Sequence, residues 1–127
     1  MNEILKQDKT IRNWRNYRPF YGKSLYLPES YVKDAIDTAK AISRVLSDKF
    51  QAEKVVLFGS IAKNKMTKNS DIDIAVWNIP NNLFYKAAAF ATGYSNKWNV
   101  DLVDFNDCKE SLKKAILAEG IILSENE

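Results

Sequence analysis

Two short runs set the architecture: Lys54-Val55-Val56-Leu57-Phe58, closed by Gly59-Ser60, and Asp71-Ile72-Asp73-Ile74-Ala75-Val76-Trp77, which starts after ten intervening residues. The first is apolar and β-prone and ends at a small residue, so it reads as a buried strand. The second alternates from Ile72 to Trp77 and reads as its neighbour. The polar stretch between them, Lys63 to Ser70, has room for a short helix in its first part. Upstream, Tyr31, Val32, Ala35, Ile36, Ala39, Ile42, Val45 and Leu46 recur at steps of three and four. That spacing predicts a helix from about Ser30 to Lys49 with one apolar face. Downstream, the alanine-rich Leu83–Tyr94 predicts a helix and Val100–Phe105 a third strand. Cys108–Glu119 predicts another helix, with Leu112, Ala115 and Ile116 facing inward and Gly120 as its stop. Ile121-Ile122-Leu123 adds a last short strand. The fold class expected is α/β (α+β), a small mixed sheet flanked by helices.

A chain of 127 residues holds one domain. Pro19, Gly22 and Pro28 break up the N-terminal part, so residues 1–28 read as an arm and 29–127 as the domain. Hydrophobic residues at 46% and charged residues at 28% suit a folded protein. No apolar run reaches the ~18–20 residues of a membrane span, and the first residues lack the pattern of a signal peptide. A cytoplasmic location is the expectation.

Cys108 is the single cysteine, so no internal disulfide forms, and the chain has no histidine. Ser-His-Asp and Cys-His hydrolysis are therefore excluded, as are histidine- or thiolate-built zinc sites. Acid–base or metal chemistry must rest on the 16 Asp and Glu residues.

Charge is unevenly spread. The chain carries +3 overall, while residues 1–28 carry +4, from six basic and two acidic side chains. Trp14, Tyr17, Phe20, Tyr21 and Tyr26 are interleaved with those cations. Such a pattern can bind single-stranded nucleic acid by stacking and phosphate contact. A short stripe and +3 overall are weak for that role, and an arm that packs its rings on the domain or on a partner is favoured.

The chemistry sits on carboxylates. Asp71 and Asp73 are two apart at the start of a strand, so they point to one face. Paired carboxylates repel unless a cation lies between them, and an oxygen-only donor set suits Mg²⁺ completed by waters and substrate phosphates. A third carboxylate on a neighbouring strand, Asp101 or Asp104, would complete a two-metal site. Gly59-Ser60 allows backbone N–H groups close to a phosphate, and Lys63, Lys65 and Lys68 supply charge in the same loop.

Gly59-Ser60, ten residues, then Asp71-Ile72-Asp73 resembles the signature of the DNA polymerase beta-like nucleotidyltransferases. Ser70–Val76, Val100–Asp104 and the tail Ile116–Leu123 resemble its small prokaryotic branch, the minimal nucleotidyltransferases of MntA type. The resemblance covers about residues 30–124 and implies the polymerase beta-like fold. It implies catalytic and metal-binding roles for Asp71, Asp73 and Asp101, with Asp101 helping to deprotonate the attacking hydroxyl. It implies nucleotide binding by Gly59, Ser60, Lys63 and Ser70, with ATP as substrate and Mg²⁺ as cofactor. Asp104, three residues after Asp101, falls on the opposite face. The chain departs from the family in having Ile61-Ala62-Lys63-Asn64 where many relatives place a basic residue directly after Gly-Ser.

A domain this small has little with which to cradle an acceptor, so another protein is expected to supply it. Minimal nucleotidyltransferases resemble antitoxins paired with a HEPN-domain ribonuclease toxin, to whose tyrosine they transfer AMP. The resemblance thus implies protein adenylylation within a hetero-oligomer. Two alternatives stand beside it: transfer to a small-molecule hydroxyl such as an aminoglycoside, and a non-catalytic antitoxin that acts by binding.

Overall fold

The computed structural model describes residues 12–13 and 27–126. Five strands, β1 (Arg12–Asn13), β2 (Lys54–Phe58), β3 (Ile72–Trp77), β4 (Val100–Asp104) and β5 (Ile121–Glu125), form one sheet in the order β1-β5-β2-β3-β4. Among the described residues three helices accompany them: α1 (Glu29–Phe50), α2 (Asn81–Gly93) and α3 (Glu110–Glu119). The sheet is mixed. β2 runs antiparallel to both β3 and β5, whereas β3–β4 and β1–β5 are parallel. Parallel neighbours require a crossover, and α2 supplies it between β3 and β4.

Side-chain alternation divides the core into two. Val55, Leu57, Ile72, Ile74, Val76, Val100, Ile121 and Leu123 face α1 and α2. Helix α1 meets them with Val32, Ala35, Ile36, Ala39, Ile42 and Leu46, all buried, at the spacing of one helical stripe. The other face is thinner: Val56, Phe58, Ala75 and Ile122 pack with Ile116 of α3, alone among that helix's residues in being fully buried. Among the described residues, two helices cover one side of the sheet and one short helix covers the other.

Two sequence expectations are corrected. The loop after β2 holds turns and no helix. The Lys63 N–H donates to Gly59 O at 3.1 Å and the Lys65 N–H to Ser60 O at 2.8 Å, after which Asn64 at φ 60° ends the turn. Helix α3 starts at Glu110, because Asp104 accepts the Asn106 N–H and winds Phe105–Asp107 into a 3₁₀ turn first. Gly120 stops α3 as expected, with φ −68°. It is glycine for space, since a Cβ there would overlap Ile116 O and Val56 Cγ1. The short strand expected after it runs on to Glu125 and lies inside the sheet.

The segment expected as an arm also contributes to the domain. Arg12 and Asn13 pair with Ile121 and Ile122, and Leu27 is buried in the larger core cluster. Trp14, Tyr17, Phe20, Tyr21 and Tyr26 lie outside the described residues. No helix among the described residues is long and apolar enough to cross a membrane.

Candidate active site

Strand register brings the acids together. Asp73 pairs with Phe58 across the antiparallel β2–β3 contact and with Asp101 across the parallel β3–β4 contact. Residues opposite one another share a face, so Asp73 and Asp101 both project on the thin, α3 side of the sheet. Asp71, two residues before Asp73, follows onto that side. All three lie at the end of the sheet where β2 exits and β3 and β4 enter. Asp104 lies at the other end of β4 and caps the 3₁₀ turn, a structural task.

The bend after β2 is built around Asp73. Gly59 has φ +79°, a conformation that costs L-residues energy. A Cβ on Gly59 would overlap Asp73 Oδ2. The Asp73 carboxylate therefore lies against the Gly59 backbone, which only glycine permits. Ser60, half-buried, follows directly. Ile61 and Ala62 point into the core, at 1% and 0% exposure, so the first side chain able to carry charge after Gly-Ser is Lys63. At residues 61–62, where the sequence departs from the family pattern, the side chains fill the core.

Electrostatics confirm the proximity of the acids. The Asp73 carboxyl is pushed up to about 6, first by burial, then by the charges of Asp101 and Asp71, with Lys63 acting in the opposite sense. Lys63 Nζ also sits 3.4 Å from Glu119 Oε2, at the last residue of α3. Glu119 had no signal in the sequence as a neighbour of this site, because only the return of α3 across the sheet brings it there. Ser70 Oγ accepts the Thr67 N–H at 2.8 Å and so shapes the turn leading into Asp71.

Among the described residues no three His, Cys, Asp or Glu side chains converge into a ready-made metal cage. The three aspartates share a face without meeting at one point. This donor set nevertheless fits Mg²⁺, which is held by one or two carboxylates, with waters and substrate phosphates completing its shell. The mutual repulsion that raises Asp73 is what a divalent cation would relieve.

The sequence matches the family model "Polymerase beta, Nucleotidyltransferase" over residues 40–127. The chain belongs to this family. Solved structures agree on the fold of this nucleotidyltransferase. It aligns with a chain of a toxin–antitoxin crystal structure containing AMP-PNP at 26% identity and TM-score 0.57, covering 72% of this chain and 75% of that one. It aligns with a chain of the tri-AMPylated Shewanella oneidensis HEPN toxin in complex with MNT antitoxin at 25% identity and TM-score 0.53, covering 72% and 73%. A mutant MntA–HpeT toxin–antitoxin, at 24% identity and TM-score 0.56 over 71% and 74%, shares the fold. No curated protein sequence matches the chain.

Removing the Lys63 charge tests the electrostatic coupling. In Lys63→Met, the Asp73 carboxyl is expected to titrate above its wild-type value, since an opposing cation is lost. An NMR titration of the side-chain carboxyl carbon reads this directly. An unchanged midpoint would place Lys63 outside the site.

Proposed function

We propose that this nucleotidyltransferase transfers AMP from ATP to a tyrosine hydroxyl of a HEPN-domain toxin and so acts as an antitoxin. The observation that carries the proposal is the register of Asp73 opposite Asp101, with the Asp73 carboxylate laid against the left-handed Gly59. The acids and the Gly59-Ser60 bend thereby share one end of the sheet. The solved complexes in which similar chains occur, one with AMP-PNP and one with a tri-AMPylated HEPN toxin, support the choice of nucleotide and acceptor.

The roles follow from placement. Gly59 and Ser60 offer backbone N–H groups and a hydroxyl to the triphosphate, and Lys63 adds a point charge. Ser70 contributes by holding the turn that presents Asp71. Asp71 and Asp73, with Asp101 beside them, would hold Mg²⁺, which neutralises the phosphates and polarises the α-phosphorus. The acceptor oxygen attacks that phosphorus, the bond to the α,β-bridging oxygen breaks, and pyrophosphate leaves. Asp101 takes the proton released by the hydroxyl.

The test mixes the full chain, α-labelled ATP and Mg²⁺ with a HEPN-domain toxin and, in parallel, with an aminoglycoside. Label is expected on the toxin, with loss of its RNA cleavage. The Asp71→Ala/Asp73→Ala double variant should leave the toxin unlabelled and active. Label found instead on an added aminoglycoside, or neutralisation preserved in the double variant, would overturn the proposal.

A further inference from the structure

Asp101 enters the sheet from the loop Ser95–Asn99, and that loop is tied down at two places. Trp98 is buried at 3% exposure and donates its indole N–H to Asp34 Oδ2 on α1 at 3.0 Å. Its ring meets Tyr31 edge-on, with centroids 4.7 Å apart. Lys97 reaches the same Asp34 oxygen at 3.1 Å, and its ammonium lies over both rings. Ser95 Oγ accepts the N–H groups of Lys97 and Trp98, each at 3.0 Å. One residue further on, the Asn99 carbonyl accepts the Ile72 N–H at 2.8 Å. Ile72 is the residue between Asp71 and Asp73.

We propose that Asp34 and Trp98 are positioning residues for nucleotide transfer. They lock the Ser95–Asn99 loop onto α1, so that the Asn99–Ile72 bond holds Asp101 in register against the Asp71–Asp73 pair. The proposal rests on reading those aspartates as the transfer centre. Helix α1 is long and packed on the sheet along its length, which makes it a rigid post for a loop that otherwise lies on the surface. Core filling alone explains the buried Trp98 ring. It does not explain why the indole N–H and the Lys97 ammonium both converge on one carboxylate sixty-four residues away from Trp98. An acid that takes a proton must sit within hydrogen-bond reach of it, and a displacement of about 1 Å at such a group can cost on the order of a hundredfold in rate.

The experiment compares Trp98→Phe, Asp34→Ala and Asp34→Asn with wild type in steady-state AMP transfer to the HEPN partner. Ser47→Ala, which breaks the Ser47–Ser124 hydrogen bond away from the site, is the structural control. Trp98→Phe and Asp34→Ala are expected to lower kcat about tenfold while KM for ATP stays within about twofold, because the groups that grip the nucleotide are untouched. Asp34→Asn, which keeps an acceptor oxygen for the indole, should recover most of kcat, and Ser47→Ala should behave as wild type. Amide exchange at Ile72 should rise at least about tenfold in Trp98→Phe relative to Val56 in β2, as the loop loosens. Unchanged kcat together with unchanged Ile72 exchange would overturn the proposal, as would a loss confined to KM. If wild type transfers no nucleotide, the reading of the site fails first. The clamp is then judged on Ile72 exchange alone, which either rises with loss of the indole bond or refutes it.

Discussion

Asp73→Asn is expected to lower AMP transfer by about a thousandfold or more and, in the same protein freed of divalent cations, to raise thermal stability. The two effects have one cause. Asp73 lies half-buried against Gly59, with Asp101 and Asp71 as like-charged neighbours, and its carboxyl is pushed up to about 6 from an ordinary 3.8. A group whose folded value is raised binds its proton more tightly in the native state. Between about pH 4 and 6 the unfolded chain has released that proton while the native state keeps it, so native stability falls as pH rises through this window and levels above it. Discounted for partial solvent exposure, the ionised carboxylate costs the ligand-free domain about 1–2 kcal/mol at pH 7. Asparagine removes that cost and should raise Tm by about 3–6 °C at pH 7, with no gain at pH 4. Melting both proteins in EDTA from pH 4 to 7 checks this, and parallel curves would show that Asp73 is not the strained acid.

Gly59→Ala carries the second large effect. The residue has φ +79°, and its missing Cβ is the space that Asp73 Oδ2 occupies. Backbone strain and displacement of the carboxylate together should cost about 2–4 kcal/mol of stability. Transfer should fall on the order of a hundredfold, because the acid that moves is the one expected to hold the metal. Gly93→Ala makes the control. Nothing lies within 4 Å of a Cβ at that position, so activity should be unchanged. Comparable loss in both variants, read by denaturant melts and initial rates, would disconnect Gly59 from Asp73.

Much of this was legible in the sequence, for identifiable reasons. Helix α1 announced itself because Val32, Ala35, Ile36, Ala39, Ile42 and Leu46 repeat with one period over about four turns. Strands β2 and β3 stood out as short apolar runs punctuated by Gly-Ser and Asn-Ile-Pro. The shared face of Asp71 and Asp73 followed from alternation alone. What could not be read were relations across the fold. The order β1-β5-β2-β3-β4, and with it the parallel register of Asp73 on Asp101, depends on which strand edges meet. The bond between Trp98 and Asp34 leaves no local trace, nor does Glu119 beside Lys63. Gly120 stops α3 as expected, but the reason it is glycine, crowding by Val56 and Ile116, is a contact no local pattern encodes.

The place of β5 carries a consequence for how the molecule is made. Strand β2 has its second neighbour in Ile121–Glu125, synthesised last among the strands, while its first, β3, emerges soon after it. On the ribosome, the nascent hairpin of Val55–Phe58 and Ile72–Val76 must wait with one sticky edge bare until the final strand slides in. Slow codons or a stalled ribosome before residue 121 should therefore yield aggregates rather than a partly working enzyme.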